Sequence, residues 1–311
     1  MARWTAKDIP SQTGKLAIVT GGNSGLGFET ALQLACAGAK VIIACRDTEK
    51  GDKAAKKIRS RDATSDVEVG QLDLASLKSI GAFAKQLLEK GAKVDLLINN
   101  AGIMAIPKRQ LTEDGFEMQL GVNHLGHYAL TGLLLPALLK TEAPRVVAVS
   151  SIAHYTGRMD FLDLQSANHY APWAAYGQSK LANLLFAFEL QRRAAGAGLA
   201  LKSVAAHPGY SATNLQTTGP GLNGPSLTAG VLTVTNLLMA QSAAMGALPT
   251  LYAATSPDVK PGGFYGPGAF IWGYPVPVSP SSQALDEKAA AELWRASEEL
   301  TGVRFDLVSR P

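Results

Sequence analysis

Cysteine and charged residues are scarce in this sequence. Only two of its 311 residues are cysteines, Cys36 and Cys45, which is too few for a disulfide framework and indicates a reducing compartment. Charged residues make up 17% of the chain and hydrophobic residues 47%, which excludes a disordered protein or a coiled coil. His124 and His127 lie close together without a nearby Cys, Asp or Glu, so we expect no metal site.

Segments that would direct the chain to a membrane or to nucleic acid are also missing. The N-terminal stretch MARWTAKDIPSQTGK has no apolar run, so we expect neither a signal peptide nor a membrane anchor, and a cytoplasmic protein. The net charge is +4, and the densest basic stretch, residues 49–61, contains no aromatic residue. Such a stretch is typical of a solvated helix face, so we expect no nucleic-acid partner.

Short apolar segments alternate with helical ones along the chain. Runs rich in Val, Ile and Leu predict strands at residues 15–20, 39–45, 67–72, 94–99, 144–150 and 199–206. They are mostly continuous rather than alternating, as in parallel sheets covered on both faces. We therefore predict an α/β fold: a Rossmann-type doubly wound parallel sheet of about seven strands with helices on both faces, in a single domain spanning residues 1–311. One long helix is expected over residues 116–140.

The composition changes after Lys202. From Ser203 to Leu285 the only charged residues are Asp258 and Lys260. We predict that residues 203–285 form an apolar region that covers the substrate at one end of the sheet. Within it, the segment from Ser226 to Ala254 is expected to be mobile without ligand, because lids come from the less stable parts of a fold. Its polar residues and its Gly and Pro breaks weaken the alternative of a membrane span.

The first strand runs directly into the glycine-rich stretch TGGNSGLGFET, which precedes a helix. Glycines allow a tight turn and a close approach of the backbone to a pyrophosphate, and the helix start directs N–H groups at negative charge. This strand, turn and helix together predict a dinucleotide site. The residues of the turn expected at the cofactor are Gly21, Asn23, Ser24, Gly25, Leu26 and Gly27.

The end of the second strand indicates which nicotinamide cofactor binds. An acidic residue there would hold the ribose 2′-hydroxyl of NAD(H), but this strand is followed by Arg46. A cation at this position suits a 2′-phosphate, and Lys50 is one helical turn further on. Asp47 is expected to cap the helix that begins near Thr48. We therefore predict NADP(H) in preference to NAD(H).

Tyr176 and Lys180 are four residues apart in an apolar stretch. This spacing places them on one face of a helix, one turn apart. A nearby ammonium favours the ionised phenol, so we expect a lowered pKa for Tyr176 and a phenol able to donate and accept protons. The alternative from these residues alone is a core tyrosine beside a lysine that reaches to solvent.

Seven motifs in chain order resemble those of the short-chain dehydrogenase/reductase family in its single-domain form. They are TGGNSGLG, LDL (72–74), NNAG (99–102), VNHLGH (122–127), VSS (149–151), YGQSK (176–180) and HPGYSAT (207–213). The resemblance covers the chain from about Lys15 almost to its end. The branch it resembles contains retinol dehydrogenases, the WW-domain oxidoreductase and protochlorophyllide reductase, although this sequence has neither a hydrophobic N-terminal segment nor a WW domain.

The resemblance implies a catalytic group made of Tyr176, Lys180, Ser151 and Asn123. Tyr176 would be the general acid in carbonyl reduction and the base in alcohol oxidation, and Lys180 would lower its pKa and bind the nicotinamide ribose. Ser151 would hydrogen-bond the substrate oxygen, and Asn123 would belong to a proton route through Lys180. Further cofactor-binding residues implied by the resemblance are Asp73, Leu74, Asn100, Ala101, Gly102, Pro208, Gly209 and Thr213.

The expected function is hydride transfer between NADP(H) and an apolar ketone or aldehyde, or the corresponding alcohol. The alternatives are a non-catalytic NADP(H)-binding sensor or scaffold and a nucleotide-sugar epimerase or dehydratase. The partner is expected to be a small apolar molecule; assembly into a homo-oligomer is left open. Candidate substrate contacts, chosen because they flank the motifs, are Met104, His154, Tyr155, Trp173, Tyr210 and Leu215.

Overall fold

The computed structural model describes residues 3–210 and 241–307. Within them, eight strands form one sheet in the order β3-β2-β1-β4-β5-β6-β7-β8. The strands are β1 Leu16–Thr20, β2 Lys40–Cys45, β3 Val67–Gln71, β4 Leu96–Asn99, β5 Arg145–Val149, β6 Lys202–Ala206, β7 Phe264–Ala269 and β8 Trp272–Pro277. The first seven run parallel, and β8 is antiparallel to β7. The doubly wound sheet and the six strands located in the sequence are confirmed.

Helices cover both faces of this sheet. They are α1 Gly25–Cys36, α2 Thr48–Arg61, α3 Leu77–Glu89, α4 Met118–Leu120, α5 Gly126–Leu138, α6 Pro172–Gly196, α7 Ala243–Thr255 and α8 Glu287–Thr301. Alternate residues of β1 face opposite layers: Val19 packs with α1, α2 and α7, whereas Ile18 packs with α3, α5 and α6. Strands buried on both faces explain the continuous apolar runs of the sequence.

The strand order reverses at β1, which lies between β2 and β4. In open parallel sheets, the crevice at the carboxyl ends of the strands on either side of such a point is where ligands bind. Three predicted motifs follow the strands at this edge: the glycine turn after β1, residues 100–102 after β4 and Ser151 after β5. The topology therefore brings residues that are far apart in sequence to one edge.

The described parts of region 203–285 belong to the sheet and its cover. They include β6, α7, β7 and β8, and α7 packs against α1 with Ala247 and Leu251 fully buried. Residues 211–240, which include most of the Ser226–Ala254 segment, lie outside the described residues, so a substrate-covering role stays a prediction. No helix in the described part of the chain has the length and apolar character needed to cross a membrane. The cytoplasmic location also stays a prediction.

The hairpin of β7 and β8 was not among the strands located in the sequence, because glycine and proline interrupt its pattern. The Val278 N–H donates to the Phe264 carbonyl oxygen at 2.9 Å, and Val276 pairs with Gly266. Residues 276 and 278 thus direct their N–H groups toward β7. Pro275 and Pro277 occupy the alternate positions, which face away from β7.

Candidate active site

Tyr176 and Lys180 lie on one face of α6, as their spacing predicted. Both are buried, with 6% and 4% of their surface exposed. The Lys180 Nζ lies 5.8 Å from the centre of the Tyr176 ring and donates to the Val149 carbonyl oxygen at 3.2 Å. Because Val149 ends β5, the lysine joins α6 to the edge of the sheet.

Burial shifts the pKa values of this pair in opposite directions. It raises the pKa of Tyr176 to about 12, although a hydrogen bond with the Ser151 side chain acts to lower it. Burial also lowers the pKa of Lys180 to about 8. The expectation that Tyr176 has a lowered pKa is therefore wrong for the protein groups alone, because the cost of desolvating the phenolate outweighs the stabilisation that the Ser151 hydrogen bond provides.

The two serines of the VSS motif have different functions in the structure. The Ser150 hydroxyl donates to the Lys180 carbonyl oxygen at 2.7 Å and so joins the end of β5 to α6. Ser151 is the N-cap of a short 3-10 helix, Ile152–Tyr155, and its Oγ accepts from the Ala153 N–H at 3.2 Å. Its hydrogen bond with Tyr176 brings the second serine to the phenol.

Asn123 lies in a π-helical turn, Gly121–Leu125, that interrupts the helix expected over residues 116–140. The expected long helix is present as helical backbone from Met118 to Leu138, but it is not regular: a π-helical turn, a feature found frequently at functional sites, lies between α4 and α5. The Asn123 side chain is fully buried. Its Oδ1 accepts from the Ile103 N–H at 2.8 Å, and its Nδ2 donates to the Ile103 carbonyl at 2.9 Å and the Ser179 hydroxyl at 2.9 Å. These three hydrogen bonds hold the Asn123 side-chain amide in place beside Lys180.

Gly102 lies between Asn123 and Lys180. A Cβ atom at this position would be 3.1 Å from the Asn123 Oδ1 and 3.2 Å from the Lys180 Nζ. Both distances are tighter than an ordinary carbon contact. The NNAG motif thus ends in glycine where the backbone passes between two polar side chains of the site.

Thr20 and His127 form a buried hydrogen-bonded contact beside the candidate site that the sequence reasoning missed. The Thr20 Oγ1 accepts from the N–H groups of Asn100 and Ala101, both at 2.9 Å, and lies 2.9 Å from the His127 Nε2. With both hydroxyl lone pairs used, the Thr20 hydrogen is available to Nε2, and the His127 Nδ1–H donates to the Asn123 carbonyl at 3.0 Å. Burial lowers the pKa of His127 to about 4, in keeping with a neutral ring.

The glycine turn has the conformation that its composition predicts. Gly21 and Gly25 have φ angles of 65° and 54°, which disfavour any other residue. A Cβ at Gly27 would collide with the Gly21 carbonyl oxygen and the Asn100 Nδ2. Ser24 is the N-cap of α1 without a side-chain capping bond, and the first turn of α1 has no acidic residue. This helix start suits an anion. Asn23 and Leu26 lie in the same turn.

Arg46 is exposed at the end of β2. Asp47 caps α2, as expected, by accepting from the Lys50 N–H at 3.0 Å. The Lys50 Nζ also pairs with the Asp47 carboxylate at 3.0 Å, so Lys50 is already partnered within the chain. After β3, the Asp73 Oδ1 accepts from the Ala75 N–H at 3.0 Å, and Leu74 is buried. The structure thus leaves Arg46 better placed than Lys50 to meet a phosphate.

The loop after β6 carries the last motif. The Pro208 carbonyl accepts from the Gln241 Nε2 at 2.7 Å, and Gly209 has a φ of 66° in close contact with Ile271. Thr213 lies outside the described residues.

The candidate substrate contacts have different surroundings. Trp173 is 60% exposed, and its ring lies edge-on to Tyr176 at 6.0 Å. Met104 and Tyr210 are half-buried, and Tyr155 is exposed. His154 is fully buried, which removes it from the candidate pocket wall. Leu215 lies outside the described residues.

Comparison with known proteins gives a consistent result. The sequence model of a family described as short chain dehydrogenase matches residues 15–220. Human retinol dehydrogenase 13 is 43% identical over 292 residues, which cover 93% of this chain and 85% of that protein.

Two solved structures are also similar to this chain. An uncharacterized protein from Mycobacterium paratuberculosis is 47% identical, with a TM-score of 0.81 over 98% of this chain and 99% of that one. A protein described as an NAD(P)-dependent gluconate 5-dehydrogenase from Beutenbergia cavernae, with NADP bound at low occupancy, is 26% identical; its TM-score is 0.60 over 79% of this chain and 91% of that one.

Proposed function

The chain belongs to the short-chain dehydrogenase family, in the branch of the retinol dehydrogenases, and from that premise we propose that it is an NADP(H)-dependent oxidoreductase for apolar carbonyl compounds and alcohols. The observation that carries the proposal is the meeting of Tyr176, Lys180, Ser151 and Asn123 at the carboxyl edge of the sheet. Tyr176 and Lys180 come from α6, Ser151 follows β5, and Asn123 lies in the π-helical turn. Gly102 is the spacer between Asn123 and Lys180.

Tyr176 is the proton donor in the proposed reduction. A nicotinamide held at this edge would supply the hydride for the carbonyl carbon, and the Tyr176 phenol would give its proton to the carbonyl oxygen. Ser151 hydrogen-bonds that oxygen while charge develops on it. Lys180 and Asn123 stand behind the phenol, where the ammonium stabilises the resulting phenolate and binds the nicotinamide ribose. In alcohol oxidation each step runs in reverse.

The residues at the glycine turn fit a dinucleotide. The turn has no room for a side chain at Gly27, and the start of α1 carries no acidic residue, so a pyrophosphate would meet N–H groups rather than negative charge. Exposed Arg46 would hold the 2′-phosphate that distinguishes NADP(H). The relative with bound NADP supports this cofactor class.

The proposed substrate class is apolar. Only two charged residues occur between Ser203 and Leu285, and the exposed Trp173 ring stands beside Tyr176. Related chains include human retinol dehydrogenase 13, so retinal and retinol belong among the substrates to be tested. Long-chain aldehydes, aromatic ketones and quinones share the chemistry of an apolar carbonyl compound.

The test is a screen of NADPH oxidation with these carbonyl classes, using unaltered protein and Tyr176→Phe in parallel. We expect turnover of at least one class by the unaltered protein and none by the variant, which lacks only the hydroxyl. NADPH binding without turnover of any carbonyl or alcohol would instead support the non-catalytic sensor or scaffold.

A further inference from the structure

His154 is a buried histidine that the proposed chemistry does not use. It lies three residues after Ser151 and is fully buried. Its Nδ1 is 2.6 Å from the Ser151 carbonyl oxygen, and its Nε2 is 3.2 Å from the Ser281 backbone nitrogen. Both ring nitrogens are therefore engaged by backbone groups, one of which belongs to Ser151.

These partners determine the tautomer of the ring. A carbonyl oxygen only accepts, so Nδ1 carries the hydrogen; a backbone N–H only donates, so Nε2 is the lone-pair nitrogen. A proton on Nε2 would place two N–H groups against each other. Burial lowers the pKa of His154, although its bond to the Ser151 carbonyl opposes that shift. Geometry and burial agree on a neutral imidazole with hydrogen on Nδ1.

The histidine also joins two distant parts of the chain. Ser281 ends a segment, residues 279–281, that we call the strap; it lies between β8 and α8. The adjacent Tyr155 hydroxyl donates to the Ser279 carbonyl at 2.7 Å, and the His154 and Tyr155 rings contact each other with centres 4.0 Å apart and planes tilted by 37°. On its other side, His154 meets the Phe264 ring of β7 edge-on at 5.4 Å. The strap is thus fastened at two points to the turn that begins with Ser151.

We propose that His154 is a positioning residue: its neutral ring holds the Ser151 carbonyl, and through it the direction of the Ser151 hydroxyl, while securing the strap. The Ser151 carbonyl accepts two bonds from this one residue, from the Nδ1–H and from the backbone N–H at 3.1 Å. Loss of the ring bond leaves this carbonyl with the backbone bond alone, so the Ser151 backbone and the hydroxyl that it carries can shift relative to Tyr176. This inference rests on the catalytic role proposed for Ser151.

Two substitutions at His154 test its two ring hydrogen bonds one at a time. His154→Asn places an amide N–H near the Nδ1 position and keeps a donor for the Ser151 carbonyl. His154→Gln reaches the Nε2 position and keeps an acceptor for the Ser281 N–H. We expect kcat for the best carbonyl substrate to fall by roughly ten- to a hundredfold in the Gln variant, because misplaced groups lose that much, and by only a few fold in the Asn variant. KM and NADPH affinity should stay nearly unchanged in both.

The control is His169→Asn, at an exposed histidine, which should leave kcat unchanged. Equal kcat values for the Asn and Gln variants would overturn the proposal, since the Ser151 bond would then have no separate effect. A loss confined to thermal stability, with kcat intact in all three variants, would do the same.

Two measurements do not depend on turnover. Nitrogen NMR of labelled imidazole should show hydrogen on Nδ1 and a bare Nε2 in His154 near neutral pH. Hydrogen exchange at the Ser281 amide should be faster in the Asn variant and remain slow in the Gln variant. These results would hold even if no carbonyl compound were reduced, and a ring with hydrogen on Nε2 would refute the inference whatever the reaction is.

Discussion

The Lys180 Nζ lies 5.8 Å from the centre of the Tyr176 ring, and burial separates the pKa values of the two groups to about 8 and about 12. Near neutral pH the protein therefore holds a protonated phenol beside an ammonium. This arrangement suits proton donation, as carbonyl reduction requires. Above the lysine pKa the amine is neutral, so it no longer stabilises a phenolate when the phenol itself titrates.

The first prediction concerns this titration. The Tyr176 phenol should ionise above the ordinary tyrosine value of 10.0, because burial raises its pKa. The ultraviolet difference between unaltered protein and Tyr176→Phe, recorded against pH without cofactor, isolates the signal of this residue. Ionisation below the ordinary value would show that the lysine overcomes desolvation in the protein by itself.

Tyr176 and Lys180 should behave as a unit in catalysis. Tyr176→Phe should reduce turnover by about a thousandfold or more while leaving NADPH affinity nearly intact, because general acid catalysis is lost and the ring remains. Lys180→Ala should reduce both. The double variant should be little worse than the worse single one, and a fully additive loss in steady-state rates would argue for independent roles.

Burial of Lys180 should cost stability. Its pKa falls from the ordinary lysine value of 10.5 to about 8, which corresponds to about 3 kcal/mol. Lys180→Met should therefore be more stable than the unaltered protein near neutral pH. The unfolded lysine binds more protons between these two pKa values, so the unaltered protein gains stability as pH rises through this window and the difference shrinks.

Urea unfolding of both proteins at about pH 7 and about pH 10 measures the difference. Lys140→Met, at an exposed lysine, serves as the control and should change little at either pH. A Lys180→Met protein that is less stable than the unaltered one near neutral pH would mean that the Val149 hydrogen bond outweighs desolvation.

Arg46 should determine the choice of cofactor. A charge-assisted contact to the 2′-phosphate contributes about 1.5–3 kcal/mol, so Arg46→Ala should weaken NADPH binding by roughly ten- to a hundredfold and leave NADH binding unchanged. Lys50→Ala should have a smaller effect, because Lys50 already pairs with Asp47. Fluorescence titration with NADPH and with NADH measures the two affinities. Equal affinities in the unaltered protein would contradict this prediction.

Four buried histidines should make the fold sensitive to acid, among them His154, whose pKa burial also lowers. Burial lowers the pKa of His124 to about 3 and those of His127 and His207 to about 4. They stay neutral in the folded state while the unfolded chain takes up protons below about pH 6.5, so each removes about 1.4 kcal/mol of stability per pH unit from there down to its folded pKa. Urea unfolding across this range should show the decline, and His127→Asn should make it shallower than His169→Asn does.

The structural features that depend on local sequence pattern could be predicted from the sequence. The six apolar runs and the Tyr176–Lys180 spacing suffice to locate strands and to put both side chains on one helix face. The π turn at Asn123 could not be found this way, because its extra residue is accommodated by bonds to Ile103 and Ser179 from other segments. The sign of the Tyr176 pKa shift depends on how completely tertiary packing excludes water from the phenol.

The hydrogen-bond partners of His154 and His127 could not be predicted from the sequence either. The bond between His154 and Ser281 spans 127 residues of sequence, and the Thr20–His127 contact spans 107. A sequence pattern can mark a histidine near a motif but not identify a partner at that separation. The only local signal was the four-residue step from Asn123 to His127, which repeats the spacing of Tyr176 and Lys180.

The outward positions of β8 are occupied by Pro275 and Pro277, which have no N–H to offer. An edge strand is normally a template on which another strand can pair, and these two residues remove donors from that template. Growth of the sheet across this edge, whether into a dimer or into an aggregate, is disfavoured. At the other edge of the sheet formed by residues 3–210 and 241–307, β3 contains no proline, and its sequence VEVGQ keeps every backbone N–H.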